Sequence, residues 1–137
     1  MLWRSTYETG NEIVDNDHKE IFKMVEKILE DNFKDRPDKI RTSVDFLANY
    51  TVRHFGNEER LMDESAYPKT DAHKKQHSDF LQRVGLFIEK IKSDVESVNF
   101  SMEINKVIVD WLAEHVMGSD KDLADHYKSW AVAFKKQ

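Results

Sequence analysis

Residues 54–58 read His54-Phe55-Gly56-Asn57-Glu58, and residues 73–77 read His73-Lys74-Lys75-Gln76-His77. In each stretch two potential metal ligands stand four residues apart. That spacing puts both on one face of an α-helix, about one turn apart. A strand would alternate its side chains and spread such a pair along its length. Both stretches therefore predict helices that carry ligands on a single face. Working outward, His18 precedes them, and His115 with Asp120 follows. Five of the six histidines thus fall into one ordered set with two acidic residues. Neutral imidazole and carboxylate together suit iron, zinc, copper and nickel.

The flanking periodicity extends the helical reading. Residues 1–14 read as an extended arm carrying Trp3, Tyr7 and Ile13. Asp15 is the expected N-cap of a first helix over 16–33, with Ile21, Phe22, Val25, Ile28 and Leu29 at helical spacing. Pro37 suits the first turn of a second helix, 37–64, whose stripe is Ile40, Val44, Leu47, Tyr50 and Leu61. A loop over 65–69 leads to Thr70 or Asp71, the cap of a third helix reaching Lys92. Phe80, Val84, Phe87, Ile88 and Ile91 face inward there. Ser93–Asn99 reads as a connection. Ser101 caps a fourth helix through Met117, with Ile104, Val107, Ile108, Trp111 and Leu112. Gly118 interrupts it, and a short fifth helix over 119–130 follows. There is no strand-like alternation, internal repeat or low-complexity run. Long amphipathic helices joined by short loops imply an all-α, antiparallel up-down-up-down four-helix bundle, with an N-terminal arm and a short C-terminal helix. The expected unit is a single domain over 1–137.

Composition narrows the function. A formal charge of -5 without a Lys/Arg cluster argues against nucleic-acid binding. The absence of cysteine excludes disulfides, thiolate ligands and iron–sulfur clusters. Residues 1–10 lack the apolar run of a secretory signal. No stretch approaches the roughly 20 apolar residues of a membrane span. The expected location is the cytoplasm. A chain of this length is also the size of one domain of a larger receptor or enzyme.

Five imidazoles and two carboxylates exceed what one ion takes. Two octahedral ions accommodate them if Glu58 and Asp120 each bridge and an oxide or hydroxide bridges too, which leaves one position open for an exogenous ligand. No Glu is followed three residues later by His, so the carboxylate-rich ferritin-like pattern is absent. His-Glu-x-x-His is absent too. Few anions and many neutral imidazoles favour the ferrous pair, which suits reversible binding of a small diatomic. His115 and Asp120 stand five apart, about 140° on a regular helix. They can share a site only if the helix ends or distorts between them, where Gly118 lies.

These stretches resemble the hemerythrin family. His54-Phe55-Gly56-Asn57-Glu58-Glu59 is similar to its His-Phe-x-x-Glu-Glu. Tyr67-Pro68 with His73-Lys74-Lys75-Gln76-His77 resembles its Tyr-Pro and His-x-x-x-His. Trp111-Leu112-Ala113-Glu114-His115-Val116 with Asp120 resembles its Trp-Leu-x-x-His-Ile and later Asp. Asp15-Asn16-Asp17-His18 resembles its Asp-x-x-His, and Trp3 fits its arm. The likeness spans about residues 3–125.

The resemblance implies a non-haem, oxo- or hydroxo-bridged di-iron centre. His73, His77 and His115 would hold one iron. His18 and His54 would hold the other, where dioxygen would bind, and Glu58 and Asp120 would bridge. Phe55, Trp111 and Leu112 would wall the oxygen pocket. Oxygen carriage, storage or delivery by a monomer is the expected function, without catalysis. The alternatives are oxygen or redox sensing and peroxide or nitric oxide turnover, with an oxidase or signalling partner unidentified. Trp3 reads as a packing anchor, His126 as a surface histidine and Glu59 as solvated. Met24, Met62, Met102 and Met117 read as core filler.

Overall fold

The computed structural model describes residues 2–30, 37–93, 103 and 105–135. After a 3-10 turn at Ser5–Tyr7 come α1 (Glu12–Glu30), α2 (Pro37–Ser65) and α3 (Thr70–Ser93). A fourth helical run follows: a π turn at Asn105–Val109, α4 (Asp110–His115), a second π turn at Val116–Asp120, and α5 (Lys121–Lys135). Contacts fix the directions. Asp17 meets His54, and His18 meets Glu58. Asp63 pairs with Lys74 while Glu58 meets His77. His77 meets His115 while Lys90 pairs with Glu103. From α2 to α3 and from α3 to the fourth run, rising numbers on one helix face falling numbers on the next, as in the expected up-down-up-down bundle, and α1 packs against α2 through the Asp17 and His18 contacts. Among the described residues no helix is long and apolar enough to cross a membrane.

Each helix buries one stripe. On α1 it is Val14, His18, Ile21, Phe22, Val25 and Ile28, the spacing of one helical face. His18 therefore occupies a core position. The same holds for His54 and Glu58 between Phe55 and Met62, and for His73 and His77 ahead of Phe80 and Val84. The main apolar cluster runs from Ile21 and Phe55 to Val116. A smaller one contains Met62, Tyr67 and Leu123. Along α2 and the fourth run, the polar layer falls between the two.

Several boundaries differ from expectation. The arm gives way to helix at Glu12, so Ile13 lies on α1, where it is exposed. Asn11 caps the helix, its Oδ1 accepting from the Val14 N–H at 3.1 Å. Asp15 lies one turn inside and ties the arm down. Its carboxylate accepts from the Thr9 N–H (2.8 Å), the Thr9 hydroxyl (2.7 Å) and the Gly10 N–H (3.2 Å). Trp3 anchors the arm as expected, half-buried against the core with the Lys19 ammonium 4.8 Å from its ring centre. Thr70 is the first residue of α3, not its cap, and donates to the Tyr67 carbonyl at 2.6 Å. Gly118 does not interrupt the fourth run, and the expected fifth helix continues it to Lys135. Met62 is core and Met24 half-buried, but Met117 is exposed. His126 is half-buried, with Nε2 2.9 Å from the Ser65 carbonyl and its ring against Tyr67. Residues 31–33 of the first predicted helix lie outside the described residues, as do 94–99 of the connection, Ser101 and Met102, and the side chains of Ile40, Ile91 and Ile104.

α2 ends in a Schellman motif. The Tyr67 N–H reaches the Met62 carbonyl at 3.0 Å, the Ala66 N–H reaches Asp63 at 3.5 Å, and Met62 packs on Tyr67. The residue in the left-handed region is Ala66, with φ of 51°. A left-handed L-residue costs roughly 1–2 kcal/mol, part of which glycine returns as chain entropy. Ala66→Gly should therefore stabilise the protein by about 0.5–1 kcal/mol, read as a higher thermal midpoint with metal content unchanged.

Candidate metal centre

All seven expected side chains meet in one buried layer, none more than 4 % exposed. They form two groups whose potential ligand atoms lie within 4.8 Å of one another: His73, His77 and His115 with Glu58 and Asp120, and His18 and His54 with the same two carboxylates. The oxygens divide between the groups. Glu58 Oε1 lies 2.9 Å from His77 Nε2 and 3.3 Å from His73 Nε2, while Oε2 lies 2.8 Å from His54 Nε2. Asp120 Oδ1 lies 2.9 Å from His115 Nε2 and 3.0 Å from His73 Nε2, while Oδ2 lies 2.8 Å from His18 Nε2. Each carboxylate thus presents one oxygen to each group, the geometry of a bridge between two ions.

The donor chemistry fits metal ions better than protons. His115 Nε2 lies 3.1 Å from His73 Nε2 and 3.2 Å from His77 Nε2. One proton can serve one such N···N contact; a cation serves all three lone pairs. The Nε2 atoms of His18 and His54, Glu58 Oε2 and Asp120 Oδ2 are buried without a hydrogen-bond partner. They approach one another closely yet lack hydrogen-bond angles, as expected of atoms aimed at a shared point.

His115 and Asp120 meet because the π turn Val116–Asp120 lengthens the helical repeat, bringing positions i and i+5 onto one face. The expected distortion is present, but it does not draw on glycine's special freedom. Gly118 keeps an ordinary φ; among the described glycines Gly10 alone is positive.

Of the expected pocket residues, Phe55 and Leu112 are buried in the main cluster and Trp111 is half-buried. The Phe55 ring stacks on His77 at 3.7 Å, and Trp111 stacks on His115 at 4.4 Å. Both aromatic plates therefore cover the three-histidine group.

Two further residues matter that sequence reasoning passed over. Asp17 Oδ2 accepts from His54 Nδ1–H at 2.9 Å. Gln76 Oε1 accepts from His115 Nδ1–H at 2.8 Å and from the Ser119 hydroxyl at 2.7 Å. An acceptor on Nδ1 leaves the Nε2 lone pair free to bind metal. The available signal was adjacency, since each stands one residue before a histidine of the set.

Without metal the layer holds itself together by charge. Burial would lower the His54 pKa, but the charge of the adjoining Glu58 carboxylate and the hydrogen bond to Asp17 raise it to about 10. Burial likewise opposes a rise at His73, which Asp120 and Glu58 carry to about 9. His18 and His115 shift upward too, chiefly through Asp120 once burial is outweighed. At His77 burial wins and the pKa falls. Burial would raise both carboxyls, yet the surrounding histidines hold Glu58 and Asp120 far down.

Raised histidine pKa values stabilise the metal-free fold below their unfolded value near 6.5, a contribution lost as pH rises through about 9 to 10. Depressed carboxyl values stabilise it above the ordinary carboxylate range, and that contribution is lost in acid. The metal-free protein should therefore melt at a lower temperature at pH 10 than at pH 7.5. Because ions displace the histidine protons, ferrous iron added at pH 7.5 should release protons, measurable with an indicator dye, and fewer at pH 10.

A family model described as the hemerythrin HHE cation binding domain matches residues 9–127. The chain is 26% identical over 137 residues to a bacteriohemerythrin of Stenotrophomonas maltophilia, covering 100% of this chain and 88% of that one. It is 29% identical to a bacteriohemerythrin of Clostridium acetobutylicum, covering 91% and 99%. It is 30% identical to a myohemerythrin of Theromyzon tessulatum, covering 86% of each.

Proposed function

Because the chain belongs to the hemerythrin family, whose members bind dioxygen at a non-haem di-iron centre, we propose that it binds dioxygen reversibly for carriage, storage or delivery. His73, His77 and His115 would hold one iron and His18 and His54 the other, with Glu58 and Asp120 placed to serve both. The observation that supports this most is the division of each carboxylate's two oxygens between the two histidine groups. When bound there, the iron pair would supply the reversible exchange of electrons with dioxygen.

The chain's own residues supply the setting. Five imidazoles and two carboxylates hold the centre without a mobile ligand. Phe55 and Trp111 fix the planes of His77 and His115 and keep water from that side. Leu112, buried beside them, completes the apolar wall. Excluding water and protons protects an oxygen complex from decay to ferric iron.

Hemerythrins are oxygen-binding proteins rather than enzymes, and this chain is read the same way. Among the described residues, the buried titratable side chains near the centre are the ligand set and Tyr67, whose ring centre lies 6.4 Å from that of His73. Thr51 and Ser65 spend their hydroxyls on the Leu47 and Leu61 carbonyls. We further read residues 1–137 as one cytoplasmic, monomeric domain that serves an oxidase or signalling partner.

The test is an optical titration of the iron-loaded, dithionite-reduced and desalted protein with oxygen. Visible bands should appear on aeration and vanish under argon, with two irons per chain throughout. Irreversible conversion to ferric protein without an intervening coloured species would overturn the carrier reading in favour of redox sensing or peroxide chemistry.

A further inference from the structure

Each half of the centre has one histidine held from behind, and the two holders differ in charge. His54 is held by the Asp17 carboxylate and His115 by the Gln76 amide oxygen. Among the described residues, the Nδ1 atoms of His18, His73 and His77 are buried without a hydrogen-bond partner. The two holders are built alike. Asp17 stands on α1 immediately before His18 and reaches across to α2. Gln76 stands on α3 immediately before His77 and reaches across to α4. Each holder thus follows its own helix to one ligand and grips a second ligand of the same group on the neighbouring helix.

Both holders are themselves held. The Asn57 amide and the Tyr50 hydroxyl each approach Asp17 at 3.4 Å. The Ser119 hydroxyl donates to Gln76 at 2.7 Å, which ties α3 to the second π turn. Both rings are therefore oriented, and the difference between the halves is the acceptor's charge. A carboxylate on Nδ1 draws the proton away from the ring and makes Nε2 a stronger electron donor; a neutral amide does this less. The group with the carboxylate is the one with fewer imidazoles, His18 and His54.

Resting on the di-iron reading above, we propose that Asp17 and Gln76 are paired positioning residues that polarise the centre, the Asp17 charge offsetting the missing third imidazole. The two-histidine iron becomes the more readily oxidised of the two through His54. The three-histidine iron is held back by the neutral contact at His115. Side-chain shape contributes equally in both halves; charge sets the difference.

The isosteric exchanges Asp17→Asn and Gln76→Glu separate this from mere support. Each keeps one oxygen acceptor for the ring N–H and changes the side chain's charge, with its other polar atom exchanged between oxygen and NH2. Iron per chain is measured first, then the ferrous-to-ferric ratio in an anaerobic titration at a fixed potential, with a mediator dye supplying one electron per iron. Asp17→Asn should keep two irons and raise the ferrous-to-ferric ratio about tenfold. Gln76→Glu should keep two irons and lower it by a similar factor. The double variant should return near the parent.

Shifts of the same sign, or unchanged ratios with lower iron content or melting temperature, would overturn the proposal and leave both residues as structural supports. If Asp17→Asn fails to fold, Gln76→Glu decides alone, an unchanged or higher ferrous share counting against the proposal. A parent protein that does not take up two irons would instead overturn the di-iron reading itself, and that result precedes any variant.

Discussion

Glu58 and Asp120 are at most 1 % exposed, and a bare carboxylate so deep in a bundle costs several kcal/mol. The rest of the structure is arranged around that cost. Five imidazoles converge on two carboxylates from all four helical runs, and protons or metal ions complete the charge balance. An apolar replacement of the layer would pack without this expense, so the layer is a functional investment rather than a source of stability. The two apolar clusters on either side hold the helices close enough for the seven side chains to meet.

The helices achieve the convergence by simple means, with one exception. His18, His54, Glu58, His73 and His77 occupy ordinary core positions of regular helices, where apolar residues would otherwise stand. The fourth run cannot do this, because positions five apart diverge on a regular helix. The π turn over Val116–Asp120 resolves the conflict and delivers His115 and Asp120 to the same oxygens. It lies in an otherwise continuous helical run, as π turns at functional sites commonly do.

Much of this was legible in the sequence, for identifiable reasons. Pro37 and the Ser65–Lys69 break bounded α2 correctly, and the apolar spacing of Phe80, Val84 and Phe87 marked the inner face of α3. The seven ligand types could be picked out because imidazole and carboxylate at i,i+4 spacing have few other uses inside a bundle. Other features carried no distinct signal. Asn11 and Asp15 are both good capping types one turn apart, so composition could not say which capped α1. The Schellman turn after α2 uses Ala66 where glycine is the usual sign. A π turn leaves hydropathy almost unchanged, so Gly118 drew attention that the backbone does not justify. Asp17 and Gln76 look like solvated neighbours of ligands until the facing helix is in place.

The central claim is that Glu58 and Asp120 are shared between two metal ions rather than clustered about one. Anomalous diffraction at the iron absorption edge from crystals of the loaded protein tests this most directly. Two iron peaks roughly 3.5–4 Å apart, one beside His73, His77 and His115 and one beside His18 and His54, are the predicted result. A single peak, or two peaks that fail to share both carboxylates, would contradict it.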